Sequence, residues 1–161
     1  EGDRYSTSRA KMLANLSVGM GGRVAEEIIF GDDQVTSGAS GDIKQVTSLS
    51  RAMVTEWGLS DKIGMVDYGE DQNDYKPKQI SSETAQTIES EVRALIDGAH
   101  KKATKILTDN MDDLHTIANA LLEYELLSGE EIEALLKGEK VRVPDNAAPT
   151  RAKSSVPKTG K

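Results

Sequence analysis

The 161-residue sequence contains no cysteine, one Trp, one Phe and four Tyr. Without cysteine it can form no disulfide, no thiolate zinc site and no iron–sulfur cluster, and it has no cysteine nucleophile. It also has no run of about 18 apolar residues, and Glu1-Gly2-Asp3-Arg4 is not the start of a signal peptide. We therefore expect a soluble segment without membrane contact, whose core is aliphatic. Because it does not begin with Met, we also expect it to be a piece of a longer protein.

The distribution of charge along the sequence bears on whether it binds nucleic acid. The formal net charge is −7, but residues 145–161 carry four basic residues and one acidic residue, a net +3, which leaves −10 for residues 1–144. An acidic body without a basic stripe argues against nucleic-acid binding.

The spacing of apolar residues predicts an all-α fold of about five helices, because these residues recur at helical intervals and strand signals are nearly absent. We expect two shorter amphipathic helices, then a long helix of about 28 residues and a closing helical pair, with no significant sheet. The predicted boundaries are Thr7-Ser8 to Phe30-Gly31, Ile43 to Gly58, a long helix that includes Ile88 to Ile106, Met111 to Leu122, and a last helix from a Ser128–Glu131 capping box to Gly138.

The sequence also predicts the domain limits, one long loop and a tail. Residues 1–143 are expected to form one helical domain, with a long exposed loop from Leu59 to Gln79. Residues 144–161 are expected to be a disordered basic tail, because they offer almost no apolar surface to bury. Three glycines, Gly19, Gly21 and Gly22, fall inside the predicted first helix, which indicates a close helix contact there.

Few residues suggest chemistry by themselves. His100 and His115 lack a partner at metal-binding spacing, and we interpret both as ordinary helix-surface residues. No nucleotide-binding loop and no Gly-x-Ser-x-Gly motif occurs in the sequence. The small-residue loop from Val35 to Gly41 ends at Asp42, which spacing alone makes an N-cap or first-turn residue of the next helix.

At this loop the sequence resembles the C-terminal part of the peptidase domain of the FtsH family (M41-type), which are membrane-anchored, ATP-dependent zinc metalloproteases. The resemblance is collinear over residues 1 to about 65 and continues into the later helices. It is carried by Gly2-Asp3-Arg4-Tyr5-Ser6, the Gly21-Gly22-Arg23-Val24-Ala25-Glu26-Glu27-Ile28-Ile29-Phe30-Gly31 run, Val35 to Ile43, Met53-Val54-Thr55-Glu56-Trp57-Gly58-Leu59-Ser60, Ile80 to Thr84, Leu121-Leu122-Glu123 and Gly129-Glu130-Glu131-Ile132.

The resemblance implies roles for two carboxylates. It places the family's third zinc ligand at Asp42, and it suggests Glu26 as an acceptor for the ring N–H of a zinc-binding histidine. From the residues alone, Glu26 is equally well a solvated helix residue or a partner of Arg23. Position 41 is Gly where the family usually has Asn, which removes a side-chain hydrogen bond and leaves the carboxylate position intact.

The family's His-Glu-x-x-His helix, ATPase module and transmembrane anchor have no counterpart in these 161 residues. The resemblance therefore implies no complete catalytic or cofactor-binding set here, and we expect the isolated chain to be inactive. In the intact protein it implies Zn held jointly with upstream residues, ATP and Mg bound upstream, and a homo-hexamer. The implied substrates are unfolded or tagged membrane and cytosolic proteins.

The implied location is the cytoplasmic side of a membrane-anchored protein in the bacterial inner membrane. The alternative function is a non-catalytic helical module for oligomerisation or interaction.

Overall fold

The structure is a computed structural model that describes residues 6–69 and 80–139. All regular structure in these residues is helical, which confirms the predicted all-α class. The helices are α1 (Arg9–Gly19), α2 (Gly21–Phe30), α3 (Ser40–Thr55), α4 (Ser82–Asp109), α5 (Met111–Tyr124) and α6 (Gly129–Leu136), with one 3₁₀ turn at Asp32–Gln34. The predicted tail, residues 144–161, lies outside the described residues.

Serine caps set the beginnings of three helices. The hydroxyl of Ser8 accepts a hydrogen bond from the Lys11 backbone N–H at 3.3 Å, and Ser81 caps α4 in the same way through Thr84 at 3.2 Å. Ser128 and Glu131 form the predicted capping box of α6. A side-chain oxygen at this position satisfies a backbone donor that the helix leaves without a partner, so these ends are encoded locally.

The predicted first helix is divided into two at Met20. Its backbone remains near helical there, with φ −82° and ψ −11°, and the Val24 N–H still donates to the Met20 carbonyl at 3.0 Å. The three glycines lie at this junction and differ in their surroundings. A Cβ placed on Gly19 would lie 2.6 Å from Val46 Cγ2, whereas one on Gly21 would meet nothing within 4 Å. The predicted close contact is therefore made by Gly19 and α3.

The described helices divide into two compact units, one extending to Asn110 and the other beginning at Met111. In the first unit, α1, α2 and α3 pack against α4. The fully buried side chains of Leu16, Val24 and Met53 lie at its centre. α4 spans 28 residues, as predicted, and its small Ala99 and Ala103 let the shorter helices approach closely.

The described part of the predicted exposed loop, residues 59–69, is fastened to the first unit. Ser60 is buried, and its hydroxyl donates to Glu91 of α4 at 2.8 Å. Lys62 pairs with the same carboxylate at 2.7 Å, and the Tyr68 N–H donates to the Thr55 carbonyl at 2.7 Å. Residues 59–69 are irregular, as predicted, but they are only partly exposed and are fastened to α3 and α4, while residues 70–79 lie outside the described chain.

The second unit contains α5 and α6, which pack against each other. Gly138, with φ +75°, follows α6 in the left-handed conformation that commonly ends a helix. Large apolar side chains remain exposed on this unit, at Leu121, Leu122, Leu126 and Leu136. Among the described helices, none is both long and apolar enough to cross a membrane.

Candidate metal-ligand site

Asp42 is the third residue of α3 and is exposed to solvent. The N-cap residue is Ala39, so Asp42 takes the first-turn position and not the N-cap position. Within the described residues its carboxylate makes no hydrogen bond or ion pair, which leaves both oxygens free to bind a ligand. The unpaired N–H groups of the first turn stabilise negative charge at this end of the helix.

Gly22 of α2 lies beside this carboxylate. A Cβ placed on Gly22 would lie 3.7 Å from Asp42 Oδ2, which is an ordinary van der Waals distance. Glu26 lies four residues later, so it shares the same face of α2 one turn further on. One face of α2 therefore lies beside both Asp42 and the loop that leads to it.

Glu26 holds that loop through Thr36. The Thr36 backbone N–H donates to Glu26 Oε2 at 2.7 Å, and the Thr36 hydroxyl lies 3.1 Å from Oε1 and 3.2 Å from Oε2. Arg23 completes the arrangement by donating from Nη2 to the Thr36 carbonyl at 3.1 Å. Arg23 and Glu26 thus both bind Thr36, which differs from the direct pairing that their spacing suggested.

These contacts favour the charged form of Glu26. The hydrogen bond from the Thr36 backbone lowers the pKa of this carboxyl below its usual value, and partial desolvation opposes the effect. The Thr36 hydroxyl and the positive charge of Arg23 lower it further. Glu26 is therefore a charged hydrogen-bond acceptor, and its role beside a zinc-bound histidine stays a prediction.

The two histidines have different surroundings. His115 is exposed on α5, as interpreted from the sequence. His100 is only 36% exposed, and its Nε2 lies 2.6 Å from Glu27 Oε2, joining α4 to α2. His100 therefore lies partly exposed on α4, as interpreted from the sequence, and in addition contacts Glu27 of α2, which the sequence interpretation did not include. The two residues are 73 positions apart, and the sequence has no pattern that links them, because their contact depends on how α2 and α4 pack.

The described residues contain no group of three or more His, Cys, Asp or Glu side chains arranged to hold a metal ion. Zinc accepts carboxylate oxygen as a ligand, and catalytic zinc sites use three protein ligands. The free carboxylate of Asp42 suits one of those positions. The remaining ligands would have to come from outside the described residues.

Comparison with known proteins gives the class to which this helical chain belongs. The model of Peptidase family M41 matches residues 1–135, and the chain belongs to this family.

Its curated relatives carry a more specific name. The chain is 57% identical over 138 residues to an "ATP-dependent zinc metalloprotease FtsH" of Neorickettsia risticii, with 86% of this chain and 22% of that protein covered. Proteins of the same name are 53% identical over 145 residues in Caulobacter vibrioides (86% of this chain, 23% of the relative) and 48% identical over 160 residues in Rickettsia felis (93% and 25%). The chain therefore spans at most a quarter of the length of these relatives.

Proposed function

We propose that this chain is the C-terminal part of the peptidase domain of an ATP-dependent zinc metalloendopeptidase, and that Asp42 supplies the third protein ligand of the zinc. The observation that supports this most strongly is the position of Asp42. Its carboxylate is exposed, free of partners in the described chain, and placed at a helix start within the residues that the family model matches. The other two ligands and the general base belong to a His-Glu-x-x-His helix outside this sequence.

The residues of this chain would prepare one side of the metal site. Asp42 contributes a negative charge to the metal, and the N-terminal turn of α3 supports that charge. Gly22 of α2 lies beside Asp42, at a distance where a Cβ would only touch its carboxylate. A zinc ion held there would supply a Lewis acid for the scissile carbonyl and for the attacking water.

The relatives' names include ATP dependence, so the proposal extends to the whole protein. An upstream module would bind ATP and Mg and deliver unfolded or tagged membrane and cytosolic proteins to the zinc site. A six-membered ring of identical subunits, anchored on the cytoplasmic side of the bacterial inner membrane, would carry out this degradation.

Replacing Asp42 with Asn in the full-length protein tests the proposal. We expect proteolysis of an unfolded model substrate to fall by more than about ten-fold, because a charged metal ligand is lost. ATP hydrolysis should stay near the parent value, since the nucleotide site is elsewhere. Asn keeps the size of the side chain and removes only a first-turn charge that contributes about 0.3–1 kcal/mol, so a purely structural role would leave proteolysis nearly unaltered, and that result would reject the proposed ligand.

A second candidate function is a non-catalytic module that holds subunits together. The exposed leucines of the second unit favour it, since Leu122 is 84% and Leu126 82% exposed. Under this function, Leu122→Ser should weaken self-association, measured by light scattering after size exclusion. Asp113→Ser, on the same helix and also exposed, should not. Full proteolysis together with unchanged assembly in Leu122→Ser would argue against this role.

A further inference from the structure

We propose that Glu26 and Thr36 are positioning residues, which fix the loop before α3 and thereby place the Asp42 carboxylate for metal binding. This inference rests on the proposed function of Asp42. It assigns Glu26 a task within this chain that requires no contact with a histidine.

The first step is the attachment of Thr36 to α2. Both carboxylate oxygens of Glu26 accept hydrogen bonds from Thr36, one from its backbone N–H at 2.7 Å, and its hydroxyl lies near both. On the other side of the same residue, Arg23 donates to the Thr36 carbonyl at 3.1 Å. The peptide groups before and after Thr36 are therefore both held by one helix, which fixes their orientation as well as their position.

Hydrogen bonds along the backbone connect Thr36 to the first turn of α3, where Asp42 lies. The Gly38 N–H donates to the Thr36 hydroxyl at 3.1 Å, and the Ser40 N–H donates to the Ser37 carbonyl at 3.0 Å. The Ile43 N–H then donates to the carbonyl of Ala39, also at 3.0 Å. The first two bonds close tight turns and the third is the first backbone bond of α3, so little free backbone remains between the attachment point and the helix.

Burial supports the same conclusion. Ala39 is 5% exposed, although the neighbouring loop residues Thr36 to Gly38 are exposed. The loop is therefore held at two points, by polar contacts at Thr36 and by packing at Ala39. Hydrogen-bonded groups that orient a metal ligand without touching the metal commonly change metal affinity or activity by 10- to 100-fold when they are removed.

Substitutions of Thr36 distinguish two roles for Glu26: holding the loop before α3, and accepting a hydrogen bond from a zinc-bound histidine. A carboxylate that accepts the N–H of a zinc-bound histidine would not need the Thr36 hydroxyl. A carboxylate that acts through the loop loses part of its hold on Thr36 when the hydroxyl is removed and keeps the bond from the backbone N–H. Thr36→Val removes that hydroxyl while it keeps the shape of the side chain and the backbone N–H, and Thr36→Ser restores the hydroxyl.

The experiment uses the full-length protein loaded with zinc, with Glu26→Ala, Thr36→Val, Thr36→Ser and Asp42→Asn compared with the parent. Zinc retention is measured by competition with a chromophoric chelator, and ATP hydrolysis reports that each variant is folded. Amide hydrogen exchange of residues 36–43 reports the order of the loop. The matched control is Thr87→Val, which removes a threonine hydroxyl that donates to the Glu83 carbonyl within α4.

We expect zinc affinity to fall 10- to 100-fold in Glu26→Ala and about ten-fold in Thr36→Val. Thr36→Ser should have a zinc affinity within about two-fold of the parent, because serine keeps the hydroxyl. In Thr36→Val the Gly38 amide should exchange faster, because its acceptor is lost, and proteolysis should lose kcat with little change in KM. Thr87→Val should resemble the parent in all of these measurements.

The outcomes distinguish this inference from the function on which it rests. If Asp42→Asn keeps its zinc, the proposed ligand is wrong, and the positioning role is wrong with it. If Asp42→Asn loses zinc while Thr36→Val and Glu26→Ala keep it, the positioning role alone is wrong. Loss of zinc in Glu26→Ala with unchanged amide exchange of residues 36–43 would also overturn it, because Glu26 would then act on a group other than the loop.

Discussion

Gly19 of α1 lies directly against Val46 of α3, so that a Cβ on Gly19 would come within 2.6 Å of Val46 Cγ2. Val46 is 3% exposed and has a branched, stiff side chain, so it cannot move aside easily. The absence of a side chain at position 19 therefore permits the close contact between α1 and α3 within the first unit.

Gly19→Ala should lower the free energy of unfolding of this chain by about 1–3 kcal/mol, since overpacking a full core forces side chains or backbone to shift. Urea denaturation followed by circular dichroism measures the change. The matched control is Gly21→Ala, where the added Cβ meets nothing within 4 Å and should be neutral or stabilising by up to about 1 kcal/mol. Equal stability of the two variants would show that the contact at Gly19 is looser than described.

Glu91 gives the first unit a pH-dependent contribution to stability. The hydrogen bond from Lys62, and then that from Ser60, lower the pKa of the Glu91 carboxyl below its usual value. The folded state therefore favours the charged form. The stabilisation of the folded state by charged Glu91 is complete above about pH 4.5, and it is lost as the pH falls through the lowered pKa.

Glu91→Gln should accordingly cost about 1–2 kcal/mol at pH 7, and the difference from the parent should shrink towards pH 3. The measurement is a series of urea titrations across this range. Glu89→Gln is the control, because the Arg51–Glu89 pair is exposed and should contribute less than about 0.5 kcal/mol. A constant difference at every pH would mean that Glu91 contributes through packing and not through its charge.

The pair of His100 and Glu27 should couple α4 to α2. In a double-mutant cycle of His100→Ala and Glu27→Ala, we expect a coupling energy of about 0.5–2 kcal/mol, because the two side chains are in direct contact and only partly exposed. His115→Ala, at an exposed position, should change stability by less than about 0.5 kcal/mol. Additive effects of the two substitutions would indicate that the contact does not stabilise the fold.

The isolated chain should bind zinc no more tightly than a single exposed carboxylate does. Within the described residues no set of three ligands is present, and catalytic zinc sites use three. Metal analysis after dialysis against zinc-free buffer should find far less than one zinc per chain. Stoichiometric zinc held by Asp42 and a histidine of this chain would show that the site is complete without upstream residues.

Local capping signals predicted the starts of the first and last helices. Ser8 and the Ser128–Glu131 box act on backbone groups three residues away, so their effect can be inferred without knowledge of the packing. The break at Met20 was not predicted, because the apolar pattern continues through it and the backbone stays nearly helical.

Contacts between distant parts of the chain could not be predicted in the same way. The Glu27–His100 and Ser60–Glu91 pairs depend on how α2 and the segment after α3 lie against α4. Asp42 was selected through the family resemblance, since a lone carboxylate at a helix start is more often structural. Thr36 was not identified, because Glu26 reaches it only after the chain has turned back at the 3₁₀ turn.

The central claim, that Asp42 is a zinc ligand, is tested most directly by a crystal structure of the complete peptidase domain loaded with zinc. The account predicts an Asp42 carboxylate oxygen about 2.0–2.2 Å from the metal, with two histidines from outside this chain completing the protein ligands. A zinc ion with three other protein ligands, and with the Asp42 carboxylate turned to solvent or to a backbone N–H, would contradict it.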